Sequence, residues 1–163
     1  MTMKTTKMLS TIALTLILTA CSSEAPKENS SSTAEAPKSM VEEAPSYDPH
    51  RGEGKWTAEN INVGETLNVE WASSGENIAN VKCTSCHKMT DEKLVGPGWK
   101  GVTTRRTGEW IMNFITNPDP MIDKDPQAQA MLELCLVRMP NQNLSDAEAR
   151  NIFEFMRKND GAK

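Results

Sequence analysis

The chain has 163 residues and a formal charge of −4, which leaves room for one compact domain with extensions and not for two cores. Aromatic residues make up only 5% of it, too few to fill a core with large apolar side chains, so a buried cofactor would close the gap. From Trp71 to Asp160 there are 11 basic and 12 acidic residues, a balance without the single-sign field that marks nucleic-acid binding.

Residues 1–20 read as a signal peptide: Lys4 and Lys7 precede an apolar run from Met8 to Ala20, shorter than the roughly 20 apolar residues that span a bilayer. Leu18-Thr19-Ala20-Cys21 resembles the lipobox of bacterial lipoproteins, which implies lipidation of Cys21; a plain signal peptide ending near a cysteine is the alternative. The same resemblance, with Ser22 after the cysteine, implies delivery to the outer membrane where the cell has one, facing the periplasm. Loss of Lys4 and Lys7 with the signal takes the formal charge from −4 to −6. Residues 21–46 are rich in Ser, Ala, Glu, Lys and Pro and lack aromatics, so they are expected to form a flexible linker rather than fold. Such a tether reaches roughly 25–30 Å.

Over residues 47–74 the apolar positions Ile61, Val63, Leu67, Val69 and Trp71 alternate about Gly64-Glu65, which predicts a short extended arm or hairpin. The remaining stretch, 75–163, turns helical from Gly75, with Ile78 and Val81 leading to Cys83. A second helix is predicted from Thr107 to Thr116, ending at Asn117-Pro118. A third starts at Asp125-Pro126, an N-cap followed by Pro at the first helical position, and runs to Cys135. Ser145-Asp146-Ala147-Glu148 is a capping box that opens a last helix, with Ile152, Phe153, Phe155 and Met156 as its apolar stripe. The elements are mostly helical, joined by connections long enough to wrap a cofactor.

Cys83-Thr84-Ser85-Cys86-His87 is C-x-x-C-H, the haem c attachment signature. Its two thiols can add to the haem vinyl groups as thioethers, and the adjacent imidazole is then placed as an axial ligand. A thioredoxin-like pair and half a zinc site compete. The first needs a βαβ framework that the helical surroundings do not suggest. The second needs another ligand pair, and His50 and Cys135 are too scattered to supply it.

From Gly75 to Lys158 the chain resembles the class I cytochromes c. Gly75, eight residues before Cys83, stands where the family crosses its first and last helices. Gly96-Pro97-Gly98-Trp99-Lys100-Gly101 looks like the family's G-P-x-L-x-G loop, with Trp99 for the commoner leucine; the resemblance implies that the Pro97 carbonyl orients His87. It also implies that Arg105 lies near a haem propionate, with Arg106 as a neighbouring candidate. Met139, before Pro140 and the capped last helix, is the implied sixth ligand, which a carrier of high potential favours. Met121, Met131 and His50 are the rivals. Trp110 is read either as an indole donor to a propionate or as a core anchor. Ala79 replaces an aromatic residue that often packs between the terminal helices, a contact that Phe153 or Phe155 would rebuild. Cys135 is expected to be a buried structural thiol, or else an intermolecular partner.

These observations predict a mostly α cytochrome c fold of about four helices around one covalent haem c, with iron held by His87 and Met139 and a tether and arm before it. The expected function is single-electron transfer between a respiratory membrane complex and an exported or membrane-bound oxidase or reductase. Its partners would be redox proteins and, through the lipid, a membrane, with no enzyme activity, small-molecule substrate or nucleic acid. A haem sensor or small peroxidase with an open sixth position, or a fixed subunit of a respiratory complex, are the alternatives.

Overall fold

A computed structural model describes residues 47–163. The signal peptide, Cys21 and linker readings lie outside the described residues. Seven helices follow in order: α1 (Ala58–Ile61), α2 (Val69–Lys82), α3 (Val102–Arg105), α4 (Gly108–Thr116), α5 (Pro118–Lys124), α6 (Pro126–Cys135) and α7 (Asp146–Asn159). Among the described residues no strand forms, and the one β-bridge pairs His87 with Lys93.

The extended arm expected over 47–74 is corrected. Thr57 donates its backbone N–H to the Asn60 side chain and starts α1, which ends where Asn62 takes a left-handed φ of 48°. The Asn68 side chain accepts from Trp71 N and caps α2, which begins six residues before Gly75. The alternation failed as a strand signal because an alternating face must be buried to matter. Only Ile61 of the five is buried, while Val69 is 68% exposed. The arm is stitched to α4 by Asn113, itself buried, whose side chain accepts from Trp56 N and donates to the carbonyls of Arg51 and Trp56. Gly54, at φ 155°, passes so close that a Cβ there would sit 2.2 Å from the Asn113 side-chain oxygen.

Helices α2 and α7 make the most extensive pairing in the fold. The buried face of α2 is Ala72, Gly75 and Ala79, small residues at helical spacing that let the two backbones approach. At Gly75 a Cβ would lie 2.0 Å from the Asn151 carbonyl oxygen. Gly75→Ala is therefore expected to destabilise by about 1–3 kcal/mol through overpacking, even though alanine is about 1 kcal/mol the better helix former. A thermal midpoint equal to the parent's would mean that the helices do not cross there. Ala79 lies in one buried cluster with Phe153 and Phe155; Phe155 also meets Trp99 edge-on at 6.3 Å, and Phe153 packs on Gly108.

Glu154 on α7 is buried and is held by Arg150 and Arg157, both at 2.8 Å. The same guanidinium groups donate to the carbonyls of Ile61, Asn62 and Gly64, so one buried carboxylate bridges the two cations that fasten the arm. Three short helices escape the sequence pattern, α1, α3 and α5. Asn117-Pro118 ends α4 as expected, but Pro118 then serves as the first residue of α5, a position where its missing N–H is harmless.

Candidate functional site

α2 stops at the cysteine motif. Cys83 caps it, donating to the Ala79 carbonyl, and the N–H groups of Cys86 and His87 both return to the Cys83 carbonyl, at 3.0 and 2.9 Å. This tight turn brings both thiols and the imidazole to one cavity of about 540 Å³, within the roughly 300–1,000 Å³ usual for cofactor sites. Cys83 is buried, and burial pushes its thiol up to about 11. A reactive thioredoxin-like cysteine is displaced the other way.

The loop after the motif folds back over the histidine. Gly96 N donates to the Cys86 carbonyl at 2.8 Å and Trp99 N to the Lys88 carbonyl at 2.9 Å. The Pro97 carbonyl then lies 2.8 Å from His87 Nδ1. A carbonyl can only accept, so Nδ1 carries the proton and Nε2 the lone pair. Burial lowers the His87 pKa against the opposing hydrogen bond, which keeps the ring neutral. A Cβ on Gly96 would come within 2.4 Å of the ring; only glycine leaves the imidazole its place. Trp99 closes the other side, its ring centroid 5.7 Å from that of His87. Trp99, a departure from the family's commoner leucine, thus packs on the histidine, and its place in the Pro97 loop is the local signal for that role.

A sequence model of the family described as "Cytochrome c" matches residues 72–160. The chain belongs to the cytochrome c family. The chain is similar to a cytochrome c from Rhodothermus marinus, 32% identical with a TM-score of 0.61, over 69% of this chain and 92% of that one. It is similar also to an engineered cytochrome c from the same organism, 31% identical with a TM-score of 0.62, over 69% and 98% of the two chains. That engineered protein bound to a carbene intermediate matches with 32% identity and a TM-score of 0.59. No curated protein matches the chain by sequence. The fold is thus the mostly helical one of cytochrome c, and the cofactor is covalently bound haem c with its iron.

The residues of this cytochrome c fit such a group. Its cavity is lined mainly by apolar side chains, among them Trp99, Ile111, Phe114 and Ile152, and also by Cys83, Cys86, His87 and Met139. Among the described residues no group of three or more His, Cys, Asp or Glu could hold a metal ion, so a zinc site lacks its second ligand pair. Arg105 and Arg106 line the same cavity; they donate to the carbonyls of Lys100 and Arg105, and among the described residues neither is in a salt bridge.

The structure separates the rival ligands of the cytochrome. Met131, Met139 and Met156 line the cavity. Met121 does not: it is fully buried beneath the arm, where its sulfur accepts from Glu53 N at 2.9 Å. His50 is exposed, and its carbonyl takes the Thr107 hydroxyl. Trp110 lines the cavity, but its indole N–H is committed to Asp125 Oδ2 at 2.9 Å, which removes it as a donor to a propionate and corrects that reading. Asp125 was seen in the sequence only as a helix cap. It caps α6 through Gln127 N and Ala128 N, both at 2.8 Å, and also accepts from Tyr47. Burial raises its pKa, but these hydrogen bonds outweigh that and leave it below the usual carboxylate value. Cys135, expected to be buried, is half-buried, and lines a smaller recess with His87, Met131 and Met139.

Proposed function

We propose that this cytochrome is an exported, lipid-anchored electron carrier whose haem is joined to Cys83 and Cys86 and whose iron is ligated by His87 and Met139. When bound, the haem iron cycles between ferric and ferrous and so moves one electron at a time. The observation that carries the reading is the His87–Pro97 contact of 2.8 Å, which leaves Nε2 as the only free lone pair of a neutral ring lining the haem cavity. Met139 lines that cavity as well, follows α6 and precedes α7. Its thioether favours the ferrous state and so a high potential. With His87 and Met139 both holding the iron, no position on it would be left for a substrate. Arg105 and Arg106, in no salt bridge among the described residues, would seat the propionates.

Lipidation at Cys21 rests on the Leu18-Thr19-Ala20-Cys21 pattern and would hold the domain on a membrane facing the periplasm, the outer one where the cell has it. The partners would be a respiratory membrane complex on one side and an exported or membrane-bound oxidase or reductase on the other. One preparation tests the whole reading. Membranes washed with high salt should keep the haem protein, since acyl chains are held by burial at about 0.8 kcal/mol per CH₂ and not by charge. Protein released from them by detergent should give a six-coordinate, low-spin spectrum unchanged by carbon monoxide. Release by salt would remove the anchor, and fast carbon monoxide binding would move the reading to a sensor or peroxidase. Co-purification with a respiratory complex in mild detergent would make it a fixed subunit.

A further inference from the structure

The segment that presents Met139 has no backbone ladder of its own. From Val137 to Leu144 no backbone group is hydrogen-bonded to another backbone group among the described residues, and Asn143 adopts a left-handed φ of 49°. Such a segment opens locally at little free-energy cost unless side chains hold it. Two long side chains do. On one flank of Met139, Arg138 reaches α5: its Nε donates to Asp119 Oδ1 at 2.8 Å, and its Nη2 donates to Asp123 Oδ1 at 2.6 Å and to the Asp119 carbonyl at 3.3 Å. On the other flank, Lys82 at the end of α2 donates to the Gln142 carbonyl at 3.1 Å.

The Arg138 contact has the geometry of a clamp. Asp119 and Asp123 are one helical turn apart, so both carboxylates stand on one face of α5, and the planar guanidinium engages both while also taking a backbone carbonyl. Yet the three side chains are 41%, 62% and 64% exposed, where ion pairs add little to global stability because solvent screens them. A contact that weak in the global balance still bears on the state of a loop that is otherwise held on that flank by apolar packing of Met139, since among the described residues no other hydrogen bond fastens it there. We propose that Arg138, through Asp119 and Asp123, is a positioning residue that holds Met139 at its station and sets how often the sixth position opens. The inference rests on Met139 being the sixth ligand.

The test is the rate at which cyanide enters the ferric holoprotein, because an exogenous ligand must wait for Met139 to leave. Arg138→Gln should speed entry about threefold to tenfold while the thermal midpoint stays close to the parent's. Arg138→Lys, which keeps the charge but not the fork, should fall between. The double variant Asp119→Asn/Asp123→Asn should match Arg138→Gln, and all three changes together should add nothing further, as members of one interaction do. In the parent, 1 M salt, where screening acts within about 3 Å, should speed entry; in Arg138→Gln it should not. Cyanide entry at the parent rate in Arg138→Gln, or additive effects, would overturn the clamp. Met139→Ala measured alongside separates the two failures: if it keeps the charge-transfer band of Met-ligated haem, the ligand reading falls and the clamp with it. Should Arg138→Gln not mature, the double asparagine variant decides alone.

Discussion

Cys83→Ser with Cys86→Ser is expected to abolish haem-associated peroxidase staining of the denatured polypeptide, the largest effect of any pair of substitutions in this chain. The parent should keep its haem through denaturing electrophoresis, because thioethers survive what unfolds a protein. Either serine alone should leave one thioether and a sharply lower yield of holoprotein. The turn that places these residues depends on backbone bonds from Cys86 N and His87 N to the Cys83 carbonyl, which serine does not disturb. The loss would therefore report the thiols and not a collapsed site. A matured parent whose haem extracts into acidified organic solvent would contradict the attachment.

Met139→Ala is expected to remove the weak charge-transfer band at the near-infrared edge, open the iron to carbon monoxide, cyanide and azide, and lower the potential. The drop should be on the order of 0.1 V, within the roughly 0.8 V over which axial ligands tune haem. Loss of the thioether removes the preference for ferrous iron, which sets the sign. Met139 is half-buried, so the stability loss should stay below the roughly 2–5 kcal/mol of a fully buried truncation. Met131→Ala serves as the control, since Met131 lines the same cavity and offers the same donor atom. Loss of the band there, with a normal spectrum in Met139→Ala, would reassign the ligand and keep the function. Met121→Ala should keep the band whichever is the ligand, because its sulfur is engaged under the arm by Glu53 N.

The legible parts of this protein share a physical character: each is written in residues a few positions apart. The Ser145 hydroxyl accepts from Glu148 N while the Glu148 carboxylate accepts from Ser145 N, and Asp125 accepts from the two N–H groups that follow Pro126. Local rules of helix initiation suffice for both. The cysteine turn is closed by bonds across three and four residues. Gly75 was legible through the family resemblance, which implies that the first and last helices cross there, though not which residue of the last helix comes close. Asn151 on α7 is what comes close.

The arm was misread because its fate depends on partners far along the chain. Trp56 is held by Asn113, 57 residues away, and the carbonyls of Ile61 and Asn62 by Arg150, 89 and 88 residues away. No local pattern encodes that, and without it the alternation of apolar residues looked like a strand. Trp110 stayed open between two readings for a related reason. A tryptophan on an amphipathic helix must find an acceptor for its N–H when buried, but which acceptor is a matter of where α6 begins in space, and the fold supplies Asp125 at 2.9 Å. The stretch after Asn117-Pro118 was read as the end of a helix and nothing more, yet α5 is where the loop carrying Met139 is tied down.

By itself the sequence determined the chemistry: two thiols and an imidazole in one short motif, a glycine-proline loop to follow it, and helices whose starts are set by capping side chains. The tertiary structure alone decided which methionines reach the cavity, which arginines lie at it, where the Trp110 proton goes, and what restrains residues 137–144. Attachment groups must be neighbours in the chain, because covalent chemistry tolerates little misplacement. The groups that position a ligand or screen a charge need only be neighbours in space, and chain folding brings those together from anywhere.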